Sequence, residues 1–162
     1  MMWTASPAED IAYMRVALDE ARTAAAAGEV PIGAVIVADR AILSRGRNQR
    51  EQWQDPTAHA EMIALRAAAA QLQSWRVLDS TMYVTMEPCV MCIGAAILAR
   101  VKRLVFGVRD PKGGACGSMF NIPPEPRLNH RLEVVGGILA QESQELLQEF
   151  FRHLRKRPVE AG

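Results

Sequence analysis

The stretch TMEPCVMCIGAA, residues 85–96, sets two thiols three positions apart where a strand gives way to a helix. Met82 to Thr85 reads as the strand, and the apolar run from Val90 to Ala99 as the helix. Positions i and i+3 share one helix face. A helix start also favours thiolate, because its positive end lowers a thiol pKa. Pro88 suits a first helical position, whose N–H would go unpaired anyway. Taken alone, Cys89 and Cys92 are core filler, a redox couple or metal ligands, and the rest of the chain must decide. The helix that follows is apolar nearly all round, so it must be covered on more than one side.

Working outward, Ser6-Pro7-Ala8-Glu9 reads as a capping box with proline at the first helical position. It predicts a helix from about Pro7 to Ala27, stopped by Gly28. Ile32–Val37 and Ala41–Ser44 predict a hairpin turning at Asp39-Arg40. The polar run GRNQREQWQDPT, residues 46–57, reads as a loop. Thr57 is placed to cap a helix over Ala58–Leu72. Beyond the cysteines, Leu104–Val108 reads as a strand, and Arg109–Arg131 as a long Gly- and Pro-rich segment. Loops of that length are usually functional or disordered. Leu132–Val135 could form a last strand. A helix from Leu139 to roughly Leu154 follows, then a short basic tail at about 156–162. This alternation predicts an α/β fold with helices on both faces of one sheet. The strand order is not legible.

A chain of 162 residues fits a single domain spanning 1–162. With 49% hydrophobic and 23% charged residues, its composition is that of a soluble globular protein. A net charge of +1 does not suggest general nucleic-acid binding, and it leaves room for local basic patches. The start, MMWTASPAED, lacks the basic and apolar regions of a secretory signal, and no run approaches the ~18 apolar residues of a membrane span. The expectation is a cytoplasmic protein, where Cys-x-x-Cys more often binds metal or does chemistry than forms a structural bridge.

Two thiolates do not complete a zinc site. His59 stands just after the Pro-Thr break, at the start of the preceding helix. With Cys89 and Cys92 it makes a Cys2His set. Three protein ligands leave the fourth tetrahedral position to water, the pattern of catalytic rather than structural zinc. Glu61, two residues on, is then free to move a proton, although a carboxylate could also bind the metal. Cys116 reads as a small core or loop residue, His130 as structural and His153 as a surface residue.

His59-Ala60-Glu61 followed by Pro88-Cys89-Val90-Met91-Cys92 matches the known H-x-E…P-C-x-x-C signature of zinc nucleobase deaminases. More specifically, the chain resembles the bacterial tRNA-specific adenosine deaminase family. The likeness runs through EVPIGAVIV (29–37), DPTAHAEMIALR (55–66), MYVTMEPCVMCIGA (82–95), VFGVRDPKGGACGS (105–118), Asn129-His130-Arg131, GILA (137–140) and Phe150-Phe151. The resemblance implies a cytidine deaminase-like, three-layer α/β/α sandwich around a mixed five-stranded sheet. It implies one Zn2+ per subunit on His59, Cys89 and Cys92, with Glu61 as catalytic proton shuttle. It further implies that Asn48 contacts the target base, Asp110 the RNA beside the flipped nucleotide, and Phe151 the anticodon loop. The activity implied is hydrolytic conversion of the wobble adenosine to inosine, with release of ammonia. The rival readings are a zinc deaminase of a free base or nucleoside, a non-catalytic zinc-stabilised RNA-binding subunit, and a redox protein. The last leaves His59 and Glu61 without a purpose.

Two partners are expected. Arg100, Lys102, Arg103, Arg109 and Lys112 cluster about the long loop, and Arg152, Arg155, Lys156 and Arg157 end the chain. They suit a tRNA anticodon stem-loop bound in a salt-sensitive manner. The apolar helix after Cys89 predicts a homodimer, with one face on the sheet and the other on a second copy.

Overall fold

The computed structural model describes residues 3–157. Residues 158–162, most of the expected basic tail, lie outside the described residues. The helix α1 (Pro7–Ala26) begins as its sequence dictates: the Ser6 hydroxyl accepts from Glu9 N–H, and the Glu9 carboxylate accepts from Ser6 N–H. The helix gives way at Gly28, whose φ of 81° lies in the left-handed region that favours glycine. β1 (Gly33–Ala38) and β2 (Ala41–Arg47) form the expected hairpin. Asp39 and Arg40, with φ of 47° and 63°, make the tight two-residue turn between them.

One sheet runs in the order β2-β1-β3-β4-β5, with β3 at Ser80–Met86, β4 at Arg103–Val108 and β5 at Glu133–Val135. β1 pairs antiparallel with both β2 and β3, whereas β3, β4 and β5 run parallel, so the sheet is mixed. Alternate residues divide between its faces. Ala34, Ile36, Met82, Val84, Leu104 and Phe106 pack with α3 (Ala60–Leu72) and α4 (Val90–Leu98). Val35, Val37, Tyr83 and Val105 pack with Met14 and Ala17 of α1, and with Ile138 and Leu139 at the start of α5 (Ala140–Lys156). Burial on both faces explains why these strands are continuous apolar runs without polar alternation. Three layers result, as expected: α1 and α5, the sheet, then α3 and α4.

Four local readings need correction. The polar run 46–57 contains a short helix, α2 (Arg50–Trp53). Nothing in its own residues forces it. The Glu29 carboxylate, from a distant turn, accepts the N–H groups of Glu51 and Gln52 at 3.0 and 3.1 Å. Thr57 does not cap α3. It is turned back onto Asp55, which accepts both its N–H and its hydroxyl at 2.8 Å, and His59 takes the cap position. Pro88 precedes the cap of α4 rather than opening the helix, and Cys89 is the cap residue. Arg103 is not a surface cation. It is buried, and donates two 2.7 Å hydrogen bonds to Asp10 of α1.

Candidate active site

Both helices that carry the candidate metal donors are capped by one of them. His59 at the cap of α3 has φ −77° and ψ 151°; Cys89 at the cap of α4 has φ −76° and ψ 176°. This extended backbone leaves the side chain beside the first turn, where unpaired N–H groups make the environment positive. Neither side chain is spent on capping its own helix. Cys92 lies in the first turn of α4 and is buried.

These positions converge. His59 Nδ1 lies 3.6 Å from Cys89 Sγ and 3.5 Å from Cys92 Sγ. The three donor atoms all fall within 4.8 Å of one another, as a group able to hold a metal ion. Hydrogen bonding from Cys92, and then from His59, holds the Cys89 thiol down at about 4. The bond to Cys89 and burial push Cys92 up. His59 is raised chiefly by its bond to Cys89. Such a cluster exchanges its protons for a cation readily.

Glu61 sits in the first turn of α3 and is buried, which raises its carboxyl above the usual range. It is not among the three convergent donors. It lines a pocket of about 190 Å³ with Asn48, His59, Cys89 and Asp110, and with Ile32, Arg50, Met86 and Glu87. The volume lies below the ~300–1,000 Å³ of drug-sized sites, so a single small group fits it rather than a folded loop. Asn48 is held there on both sides: its Oδ1 accepts Arg50 N–H at 3.2 Å and its Nδ2 donates to Val30 O at 3.4 Å.

Phe151 lies apart from this pocket, half-exposed on α5. It lines an open groove with Lys112, Gln148, Arg152 and Arg155. Lys112 and Asp110 belong to the same turn, which therefore joins pocket to groove. Among the remaining candidates, Cys116 is buried away from the trio, with its thiol pushed up to about 12 by burial. His130 Nε2 donates to Val101 O at 2.6 Å, a structural bond as expected. His153 is exposed near Glu149. The sequence reading missed Glu29, Glu87 and Arg50. The only cue to Glu87 was its place directly before Pro88-Cys89. Glu29 and Arg50 carried none.

Comparison with known proteins agrees with this geometry. Residues 8–155 match the family model described as MafB19-like deaminase. The chain is 48% identical over 149 residues to the tRNA-specific adenosine deaminase of Bacillus subtilis strain 168, covering 92% of each. It is 50% identical over 148 residues to the tRNA-specific adenosine deaminase of Haemophilus influenzae, covering 91% of this chain and 86% of that one. A solved structure from a study of A-to-I editing by tRNA:A34 deaminases at the wobble position superposes with a TM-score of 0.81 at 42% identity. That match covers 84% of this chain and 99% of the other. A guanine deaminase from Nitrosomonas europaea superposes less closely, with a TM-score of 0.73 at 26% identity, over 93% and 86% of the two chains. The likeness to the tRNA enzymes thus spans the fold and the sequence together, and the chain belongs to the deaminase family, among its tRNA-specific adenosine deaminases.

Proposed function

We propose that the protein hydrolytically deaminates the wobble adenosine of a tRNA anticodon, giving inosine and ammonia. The observation that carries this reading is a buried carboxylate, Glu61, in the same small pocket as the His59–Cys89 side of the ligand trio. A purely structural metal site has no use for that carboxylate. Membership of the tRNA-specific deaminases supplies the substrate class.

The donor set fits zinc. One imidazole nitrogen and two sulfurs, ~2.1 and ~2.3 Å from one ion at a tetrahedral angle, stand ~3.6 Å apart. The separations here are 3.6 and 3.5 Å. When bound, one Zn2+ per subunit supplies a Lewis acid that lets water give up a proton near neutrality. Glu61 accepts that proton and places it on N1 of the adenine while the water oxygen adds at C6. It then takes the proton of the new C6 hydroxyl to the amino nitrogen as the C6–N bond breaks, leaving a C6 carbonyl and ammonia. Asn48 orients the base, Asp110 contacts the nucleotide beside it, and Phe151 packs near the loop in the basic groove. A base within a stack cannot enter so small a pocket, so the adenosine must be splayed from its loop.

The exposed apolar residues of α4 support a homodimer. Val90 and Leu98 are 47% and 70% exposed, and a Cβ on Gly94 would meet nothing within 4 Å. Sedimentation should show a dimer at micromolar concentration. The cytoplasm is the compartment that suits three unbridged cysteines, two of them needed as metal ligands. Among the described residues no helix is long and apolar enough to cross a membrane.

The test is incubation with total tRNA and mapping of inosine, beside ammonia assays on free guanine and cytosine. Wild-type protein should form inosine at the wobble position and leave the free bases intact. Glu61→Ala should retain its metal and lose at least ~100-fold in rate. Normal turnover by that variant would refute the assignment of the proton shuttle.

A further inference from the structure

The turn that brings Asp110 to the pocket is folded around a buried charge that the metal motif leaves unexplained. Glu87 follows the last residue of β3 and stands two before Cys89. Its side chain has no solvent exposure. Its N–H donates to Val108 O at 2.8 Å, which continues the pairing of β3 with β4 and turns the carboxylate under residues 109–118. There Oε2 accepts Asp110 N–H at 3.2 Å, and Oε1 accepts the Ser118 hydroxyl at 3.0 Å. The Arg109 guanidinium lies 3.4 Å from Oε1 and stays largely in solvent. Gly114 packs directly on Oε2, so that any Cβ at this position would collide with it.

A carboxylate out of water persists only where donors replace its hydration. Here every donor comes from the one turn. The far half of the turn has other anchors: Ala115 N–H bonds Pro88 O, Ile122 N–H bonds Ala115 O, and Ala115 and Cys116 are buried in the core. The near half has only its own bonds, Gly114 N–H to Asp110 O and Lys112 N–H to the Asp110 carboxylate, besides the one to Glu87. Asp110 therefore owes its place on the pocket wall to the bond from its own N–H to Glu87. Lys112, two residues on, owes its place in the Phe151 groove to the same anchor.

We infer that Glu87 is a positioning residue for RNA. Its carboxylate fixes the 109–118 turn so that Asp110 faces the pocket and Lys112 the groove, and it acts on substrate affinity rather than on the chemical step. This rests on the proposed reading of a tRNA anticodon loop as substrate.

The test follows inosine formation by the full-length, metal-loaded protein on an anticodon stem-loop RNA. Glu87→Gln keeps the shape and removes the charge, with one acceptor oxygen left for three donors. Ser118→Ala removes one donor at an exposed position. Glu87→Gln should raise KM roughly tenfold and Ser118→Ala roughly threefold, each with kcat within about threefold of wild type. The double variant should be no worse than Glu87→Gln alone, because the two act through one contact. Metal content should stay at wild-type level in all three. Unshifted KM values would overturn the inference. So would a fall in kcat accompanied by metal loss, which would make Glu87 a support of the metal site. If Glu87→Gln does not fold, Ser118→Ala decides alone, and an unchanged KM overturns the inference. Inosine from the wild type with unshifted variants defeats only this inference. No inosine from the wild type defeats the substrate reading and this inference with it.

Discussion

Replacing Arg103 by alanine should destabilise the protein severely and leave RNA binding untouched. The guanidinium of Arg103 at the start of β4 makes a two-bond fork with Asp10 of α1, both bonds 2.7 Å. The two side chains are 9% and 5% exposed. The Tyr83 hydroxyl, from the middle of β3, donates a third 2.7 Å bond to the same carboxylate. Truncating Arg103 leaves Asp10 charged, buried and short of two donors. Breaking a buried pair in this way costs about 3–5 kcal/mol. In a chain of this length each kcal/mol moves Tm by roughly 2–4 °C, so a fall of roughly 6–20 °C is expected by calorimetry. The pair need not be a net stabiliser against an apolar alternative. Asp10→Leu with Arg103→Met alone would strand the Tyr83 hydroxyl, a loss of about 1–3 kcal/mol. Adding Tyr83→Phe should recover most of the stability. The control is RNA affinity in the folded temperature range: Arg103→Ala should bind an anticodon stem-loop as wild type does. Lys112→Ala should bind more weakly, with a salt slope reduced by about 1. An Arg103→Ala protein that melts within ~3 °C of wild type, or one that loses RNA affinity with its melting unchanged, would refute the reasoning.

Other tests probe different parts of the molecule. A Cβ on Gly46 of β2 would collide with the Ala60 carbonyl and stand 2.8 Å from Ala64 N, both backbone atoms of α3. Gly46→Ala must therefore push α3 off the sheet, costing about 1–3 kcal/mol, and metal affinity should fall with stability because His59 caps that helix. Cys92→Ser should purify with little bound metal after dialysis, whereas Cys116→Ser should retain a full complement by elemental analysis. Glu9 is held below the usual carboxylate range, first by the Ser6 N–H and then by Arg40, with burial opposing. A depressed native pKa stabilises above the ordinary range and is lost as pH falls through the native value. Glu9→Gln should thus melt below wild type at pH 7 and converge with it toward pH ~2 in acid titrations.

What the sequence made legible follows from the range of the forces involved. The capping box of α1, the Asp39-Arg40 turn and the thiol pair at the start of α4 depend on residues within four positions, and all could be read from the sequence. The trio needed one long-range step, from His59 to cysteines ~30 residues on. That step was available because imidazole and thiolates in such a pattern have few other uses. Arg103, Glu29 and Glu87 failed for the opposite reason. Each is a charged residue whose meaning lies wholly in partners far along the chain: Asp10 lies 93 positions from Arg103, Glu51 lies 22 from Glu29, and Asp110 lies 23 from Glu87. A charge in a sequence looks solvated by default, because most are. Only the fold shows which are taken out of water, and each buried one must then recruit donors. Glu29 recruits the backbone of α2, beside Asn48; Glu87 recruits the turn that carries Asp110. The two walls of the pocket beside the His59–Cys89–Cys92 trio are therefore fixed by carboxylates whose partners no local pattern marks, and Asn48 and Asp110 sit next to the segments they hold. That is why the donor trio could be read from a dozen contiguous residues and one distant histidine, while the carboxylates that support the pocket walls could not.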